Sequence, residues 1–182
     1  MDVEISKTLN ITKFLKAPDE TFLAPQGALL AQKAENSNQI VKYNLRSEGI
    51  EAYISVGNCA PRSYPYQSSG YSGMDLAVDE QGLWVLCGYT GNSAKALIAE
   101  HIYLIGNAFV ACGVIYTIDN YNHRSTTINF AYDTKTGREW NPNINFINQY
   151  GANTMVDYNP REKVLYAWDN QRQVTYPLTF ED

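Results

Sequence analysis

Between Tyr71 and Thr90 the chain reads YSGMDLAVDEQGLWVLCGYT. Two short apolar runs, Met74 to Val78 and Leu83 to Leu86, flank the polar stretch Asp79-Glu80-Gln81-Gly82. That pattern predicts a β-hairpin in which Gly82 supplies the positive φ of a tight turn. Asp75 stands inside the first apolar run. A carboxylate buried there without a partner is strongly unfavourable, so a cation, an Arg or Lys, or several N–H donors must face it. Any fold proposed for the chain has to place such a partner beside this strand.

The same local pattern recurs. Gly27-Ala28-Leu29-Leu30, Gly82-Leu83-Trp84-Val85, Gly113-Val114-Ile115-Tyr116 and Lys163-Val164-Leu165-Tyr166 each place a turn residue before three apolar ones. Val41-Lys42-Tyr43-Asn44 and Phe130-Ala131-Tyr132-Asp133 end strands on a carboxamide or carboxylate, followed by turns that reach Gly49 and Gly137. The starts of the first pattern are separated by 55, 31 and 50 residues. A recurrence in the forties to fifties fits the four-stranded blade of a β-propeller, and the short middle interval departs from it. Gln39 to Leu45 alternates with period two and Ile50 to Val56 forms a further strand, whereas Asn58 to Gly73 reads as a long loop. Only Ser93 to Ile102 carries a short, ambiguous helical period.

Composition narrows the class. A chain of 182 residues with 45% apolar and 18% charged residues is ordinary globular material, and its 14 tyrosines favour strands. The net charge is −5 and the 14 Lys and Arg are scattered, which excludes a nucleic-acid grip or a polybasic membrane patch. The longest apolar run, Ala96 to Val114, is broken by Glu100, His101, Gly106 and Asn107, too polar for membrane insertion. The opening MDVEISKTLN has no signal-peptide pattern, and Asn10-Ile11-Thr12 is a glycosylation sequon that matters only in the secretory pathway. Cys59, Cys87 and Cys112 lack zinc-site spacing; one disulfide with a free thiol, or three thiols, fit equally.

Asp75, Asn107 and Asp157 each fall where the inner strand of a successive blade would run, towards a central channel. Two carboxylates, an amide oxygen and nearby backbone carbonyls form an all-oxygen cage of the kind Ca²⁺ takes. Each of the three could instead cap a turn on its own. Nucleophilic catalysis finds no support: His101 reads as packing at the edge of an apolar run, and His123 as a solvated loop residue. Asp79 and Glu80, adjacent in a turn, are expected to face solvent rather than act as a glycosidase pair. Trp84, Trp140 and Trp168 are expected in core or inter-blade packing, with sugar stacking an alternative for Trp140.

Four motifs in order, GMDLAVDEQGLWVL (Gly73 to Leu86), GNAFVACGVIYTIDNY (Gly106 to Tyr121), INFAYDTKTG (Ile128 to Gly137) and MVDYNPREKVLYAWDN (Met155 to Asn170), resemble the olfactomedin domain. VTYPLTF (Val174 to Phe180) resembles its last strand, and the likeness runs from about Leu15 to Phe180. The resemblance implies an all-β, five-bladed β-propeller of the olfactomedin type over residues 15–182, with residues 1–14 as an extension or partial blade strand. It also implies an extracellular, secreted protein-interaction module without enzymatic activity, whose partners are extracellular or cell-surface proteins. The channel cation it implies is Ca²⁺, with Na⁺ beside it in some members. Its ligands carry over to the side chains of Asp75, Asn107 and Asp157 and the carbonyls of Ala108 and Val156.

The chain departs from the family pattern in three places. The first family segment, with the cysteine that partners the counterpart of Cys112, is expected to be missing. Gly88 to Ile105 is expected to be shortened beside Asn107, and Gln67-Ser68 replaces an aromatic after Pro65-Tyr66. The expected propeller is therefore incomplete or shortened. No heptads occur, so oligomers would form only through segments outside this domain. The rival function from another class is a hydrolase or carbohydrate-processing enzyme using channel carboxylates on the same scaffold.

Overall fold

The structure, a computed structural model, describes residues 28–32, 37–56, 59, 74–87 and 105–180, with residues 28–32 described at backbone level. The expectations for residues 1–14 and the sequon at Asn10, the Asn58–Gly73 loop apart from Cys59, Ser93 to Ile102 and His101 lie outside the described residues. Thirteen strands and no helix occur among the described residues, as the all-β expectation requires. No helix among them is long and apolar enough to cross a membrane, which says nothing of a β-barrel.

The chain divides into two compact units. The first, residues 1–65, 71–76 and 82–99, holds an antiparallel sheet of order β1-β2-β3: β1 (Ala28–Gln32), β2 (Gln39–Asn44) and β3 (Gly49–Ser55). The predicted hairpin forms as β4 (Met74–Asp79) and β5 (Gly82–Cys87), one residue longer at each side of the turn than the apolar runs suggest. Gly82 takes φ +117° at that turn. Ile40, Val56, Cys59, Met74 and Val85 form a small core, with Leu76 and Cys87 packed against it. Cys59 and Cys87 are joined as a disulfide with Cα atoms 5.7 Å apart, and Cys112 is the free, exposed thiol. The cysteine alternatives are thereby resolved.

The second unit, residues 66–70, 77–81 and 100–182, is larger. Its five-stranded sheet runs β10-β8-β7-β6 with β9 also paired to β8: β6 (Asn107–Ala111), β7 (Val114–Ile118), β8 (Ser125–Asp133), β9 (Glu139–Trp140) and β10 (Ile144–Ile147). A three-stranded sheet follows in order β11 (Asn153–Asn159), β12 (Val164–Asp169), β13 (Arg172–Pro177). Phe109, Ile118, Ile128, Phe146, Val156, Tyr158 and Leu165 are among the residues that fill one continuous core between these sheets.

The recurring sequence pattern has a physical basis in the turns. Gly82, Gly113 and Lys163 adopt φ of +117°, +80° and +54°, and each ends a hairpin turn before an apolar strand. The strand-ending Asn44 and Asp133 use Oδ1 to accept two N–H groups of the following turn, at 2.7 and 3.1 Å and at 2.8 and 3.2 Å. Asn159 and Asn120 do the same. One expectation is corrected: Trp168 is 42% exposed, opposite the equally open Met155 on the outer face of β11–β12. Trp84, by contrast, is buried in β5 as expected.

Candidate functional site

Four of the five residues implied as ligands lie on two strands. Asn107 and Ala108 open β6, and Val156 and Asp157 occupy the middle of β11. The strands belong to different sheets, yet β6 runs directly against β11. Asn107, Ala108 and Val156 are buried and Asp157 is half-buried. Asp75 lies half-buried in β4, in the part of that strand that belongs to the first unit.

Asn107 is the informative side chain. Its Oδ1 accepts the N–H of Ala108 at 3.0 Å and keeps a second lone pair, while its buried Nδ2 has no hydrogen-bond partner. The two N–H groups of Nδ2 are donors and call for an acceptor, so they do not themselves point to a cation; the remaining lone pair of Oδ1 is what could face one. No group of three or more His, Cys, Asp or Glu gathers among the described residues. The donors at β6 and β11 are therefore a carboxylate, an amide and carbonyl oxygens. Such a set fits a hard, oxygen-seeking cation and not a transition metal.

A second constellation was not foreseen. Asp79 and Glu80 do not both face solvent: Asp79 is 4% exposed, and its Oδ2 accepts the Gly113 N–H at 2.5 Å while Oδ1 accepts that of Gln81 at 2.8 Å. Glu80 accepts the Cys112 N–H at 3.1 Å and the Tyr158 hydroxyl at 2.7 Å. The φ of +80° at Gly113 favours glycine, and an added Cβ would also displace the tip of the Gln81 side chain. The signal was present in the strand period. Asp79 shares a face of β4 with Asp75 and the buried Ala77, so a run ending at Asp79 rather than Val78 directs its side chain inward.

Electrostatics follow from these contacts. Burial works to raise the Glu80 carboxyl, but the Tyr158 hydroxyl and the N–H groups of Glu80 and Cys112 outweigh it and hold it below the usual range. Burial, then the charge of Glu80, pushes the Cys112 thiol up and keeps it protonated. Burial and the same carboxylate push the Tyr158 phenol up. The arrangement is a clamp and not an acid–base pair, since both carboxylates are occupied by backbone N–H groups and a phenol.

The profile of the family described as "Olfactomedin-like domain" matches residues 23–102 and 98–182. The two matched stretches meet inside the Gly88 to Ile105 interval that the sequence predicts to be shortened. Myocilin of Felis catus is 39% identical over 175 residues, covering 86% of this chain and 35% of the relative. Myocilin of Homo sapiens is 39% identical over 171 residues, covering 84% and 33%. Myocilin of Canis lupus familiaris is 40% identical over 172 residues, covering 84% and 35%. The chain spans about a third of the length of these relatives. It belongs to the olfactomedin-like domain family, and its antiparallel sheets are blades of that family's β-propeller.

Proposed function

We propose that this chain is an extracellular protein-interaction module, acting in matrix or cell-surface adhesion and signalling, with no reaction of its own. Its fold is stabilised by Ca²⁺ held by the side chains of Asp75, Asn107 and Asp157 and the carbonyls of Ala108 and Val156. The observation that carries the reading is the side-by-side run of β6 and β11, with four of those residues on them, in a member of the olfactomedin-like family. The Cys59–Cys87 disulfide supports an oxidising compartment. A divalent cation would neutralise half-buried carboxylates and tie strands together, so its binding free energy would become folding free energy.

Thermal unfolding in CaCl₂ and in excess chelator tests the cation. Chelator should lower the midpoint by several degrees, and Asp157→Ala should be insensitive to it; a wild-type midpoint indifferent to chelator sinks the calcium. The loop Asn120 to Thr127 is the recognition surface proposed within the described residues, since Asn122, His123 and Arg124 are exposed on a turn fixed by Asn120. Replacing those three with Ser should abolish capture of cell-surface proteins while leaving the midpoint unchanged. Capture that survives the replacement removes this loop from the reading.

A further inference from the structure

The two strands that carry the candidate donors share no hydrogen-bonded ladder, so their separation is set by side-chain packing and by the polar ties at their ends. One tie lies at the start of both. The Asn153 N–H at the head of β11 bonds the Tyr121 carbonyl at 2.8 Å, and Gly106, just before β6, lies so close to Tyr121 that a Cβ there would be 2.2 Å from its nitrogen. The other tie is Glu80. One oxygen takes the N–H of Cys112, at the end of β6, and the other takes the hydroxyl of Tyr158, the neighbour of Asp157 in β11. Asp79 fixes the same turn through Gly113. Asn107, Ala108, Val156 and Asp157 thus lie between two ties.

We propose that Glu80 is a positioning residue for the cation site: it sets the approach of β6 to β11, and with it the spacing of the oxygen donors, without touching the ion. The inference rests on the Ca²⁺ reading above and names a residue that reading does not include. Partners that orient metal ligands from outside the first layer typically change affinity by about 10- to 100-fold when removed. Thr134 provides the control. Its N–H and hydroxyl grip the Gly113 carbonyl at 3.1 and 2.7 Å, so it braces the same turn without reaching β11.

The test is calorimetric titration of the full chain with CaCl₂, alongside its melting in chelator. Glu80→Gln and Tyr158→Phe should weaken Ca²⁺ about tenfold. Thr134→Val should lower the chelator-treated midpoint, since it loses one neutral hydrogen bond in the same turn, while leaving affinity within about twofold of wild type. Amide exchange gives a second readout: Ca²⁺ should slow exchange at Cys112 and Gly113 in wild type and not in Glu80→Gln. Equal affinity of wild type and Glu80→Gln, or equal weakening by Thr134→Val, overturns the positioning role alone. A wild-type chain that takes up no Ca²⁺ overturns the cation reading and this inference with it.

Discussion

The two units differ in what ties their described strands together. In the first, β3 alternates between half-buried and exposed positions, Ile50 and Tyr53 are about half exposed, and among the described residues Ile40, Val56, Met74 and the β5 residues Leu83 to Leu86 are buried. A charged side chain even enters that sheet: Lys42 is 4% exposed and pairs with Glu51 at 3.2 Å. In the second, every residue of β6 is buried and the core runs unbroken from Phe109 to Val174. Among the described residues the first unit adds a covalent tie, the Cys59–Cys87 bond, to its buried β5, while the second has packed strands and a buried hydrogen-bonded turn. The difference teaches that one blade architecture can add covalent closure to its packing in one region and a buried carboxylate turn in another.

The comparison can be broken most severely in the second unit, at Gly106. In Gly106→Ala the new methyl would sit 2.2 Å from Tyr121 N and 2.5 Å from Asn120 C, backbone atoms that cannot rotate away. The expected cost is about 4 kcal/mol, beyond the usual range for overpacking. Gly151→Ala is the contrast: its φ is +81° but nothing lies within 4 Å, so only backbone strain of about 1 kcal/mol is expected. Urea unfolding followed at Trp140 and Trp168 should separate the two, and similar midpoints would mean that the second unit is looser than its burial suggests. Next in size is the staple of the first unit. Replacing Cys59 and Cys87 with Ala opens a loop of 28 residues, which in the chain-entropy account costs about 3.5 kcal/mol. The loss should register at Trp84, buried in the first unit, and much less at Trp140 and Trp168. A uniform loss at all three would show that the units unfold as one.

How much of this was legible in the sequence differs between the same two regions. Turn chemistry was readable everywhere it is local: Gly82 and Gly113 mark the left-handed turn positions, and Asn44 and Asp133 close their own turns with side-chain oxygens. The resemblance placed Asn107 and Asp157 on strands that do run side by side. Long-range pairings were not readable. Which cysteines join, or that Glu80 bonds a tyrosine 78 residues away, depends on how sheets stack rather than on any local period. Asp79 was misassigned because an apolar run ends at Val78, whereas the strand extends one residue further and alternation then turns the carboxylate inward. Trp168 failed for the opposite reason: its period is right for a strand, but that face of β11–β12 is open. Residue type does not say which face of a two-sided sheet is covered.

A milder perturbation sharpens what holds the second unit together. Asp79→Asn keeps the shape but replaces a charged acceptor with a neutral amide whose NH₂ must face either the Gly113 or the Gln81 N–H. Losing a buried, charge-assisted bond should cost about 2 kcal/mol. If the two units are as distinct as their cores suggest, amide exchange at Gly113 and Val114 should accelerate while that at Ile40 and Val56 stays unchanged. Acceleration in both places would place the turn of β4–β5 in a common cooperative unit.

The smallest expected effect concerns Tyr176, which links the two sheets of the second unit. Its hydroxyl donates to the Ile147 carbonyl at 2.9 Å and its ring lies 4.7 Å from Phe146. It thereby covers part of β10, an edge strand whose Ile144 and Ile147 are 50% and 55% exposed. Burial first, and then the charge of Asp169, pushes its phenol up to about 12, against an opposing backbone contact at Gln149. The neutral phenol is the form the folded state favours. Its contribution is therefore complete below the ordinary phenol value of about 10 and is lost as pH rises through about 12. Tyr176→Phe should cost about 1 kcal/mol at neutral pH, the net worth of one hydrogen bond, and should make the fall in midpoint between pH 10 and 12 shallower. The variant should also associate more readily, because the Ile147 carbonyl is freed on an apolar edge that can template a second strand. Light scattering that does not rise, together with an unchanged alkaline slope, would show that packing of the ring alone holds β13 to β10.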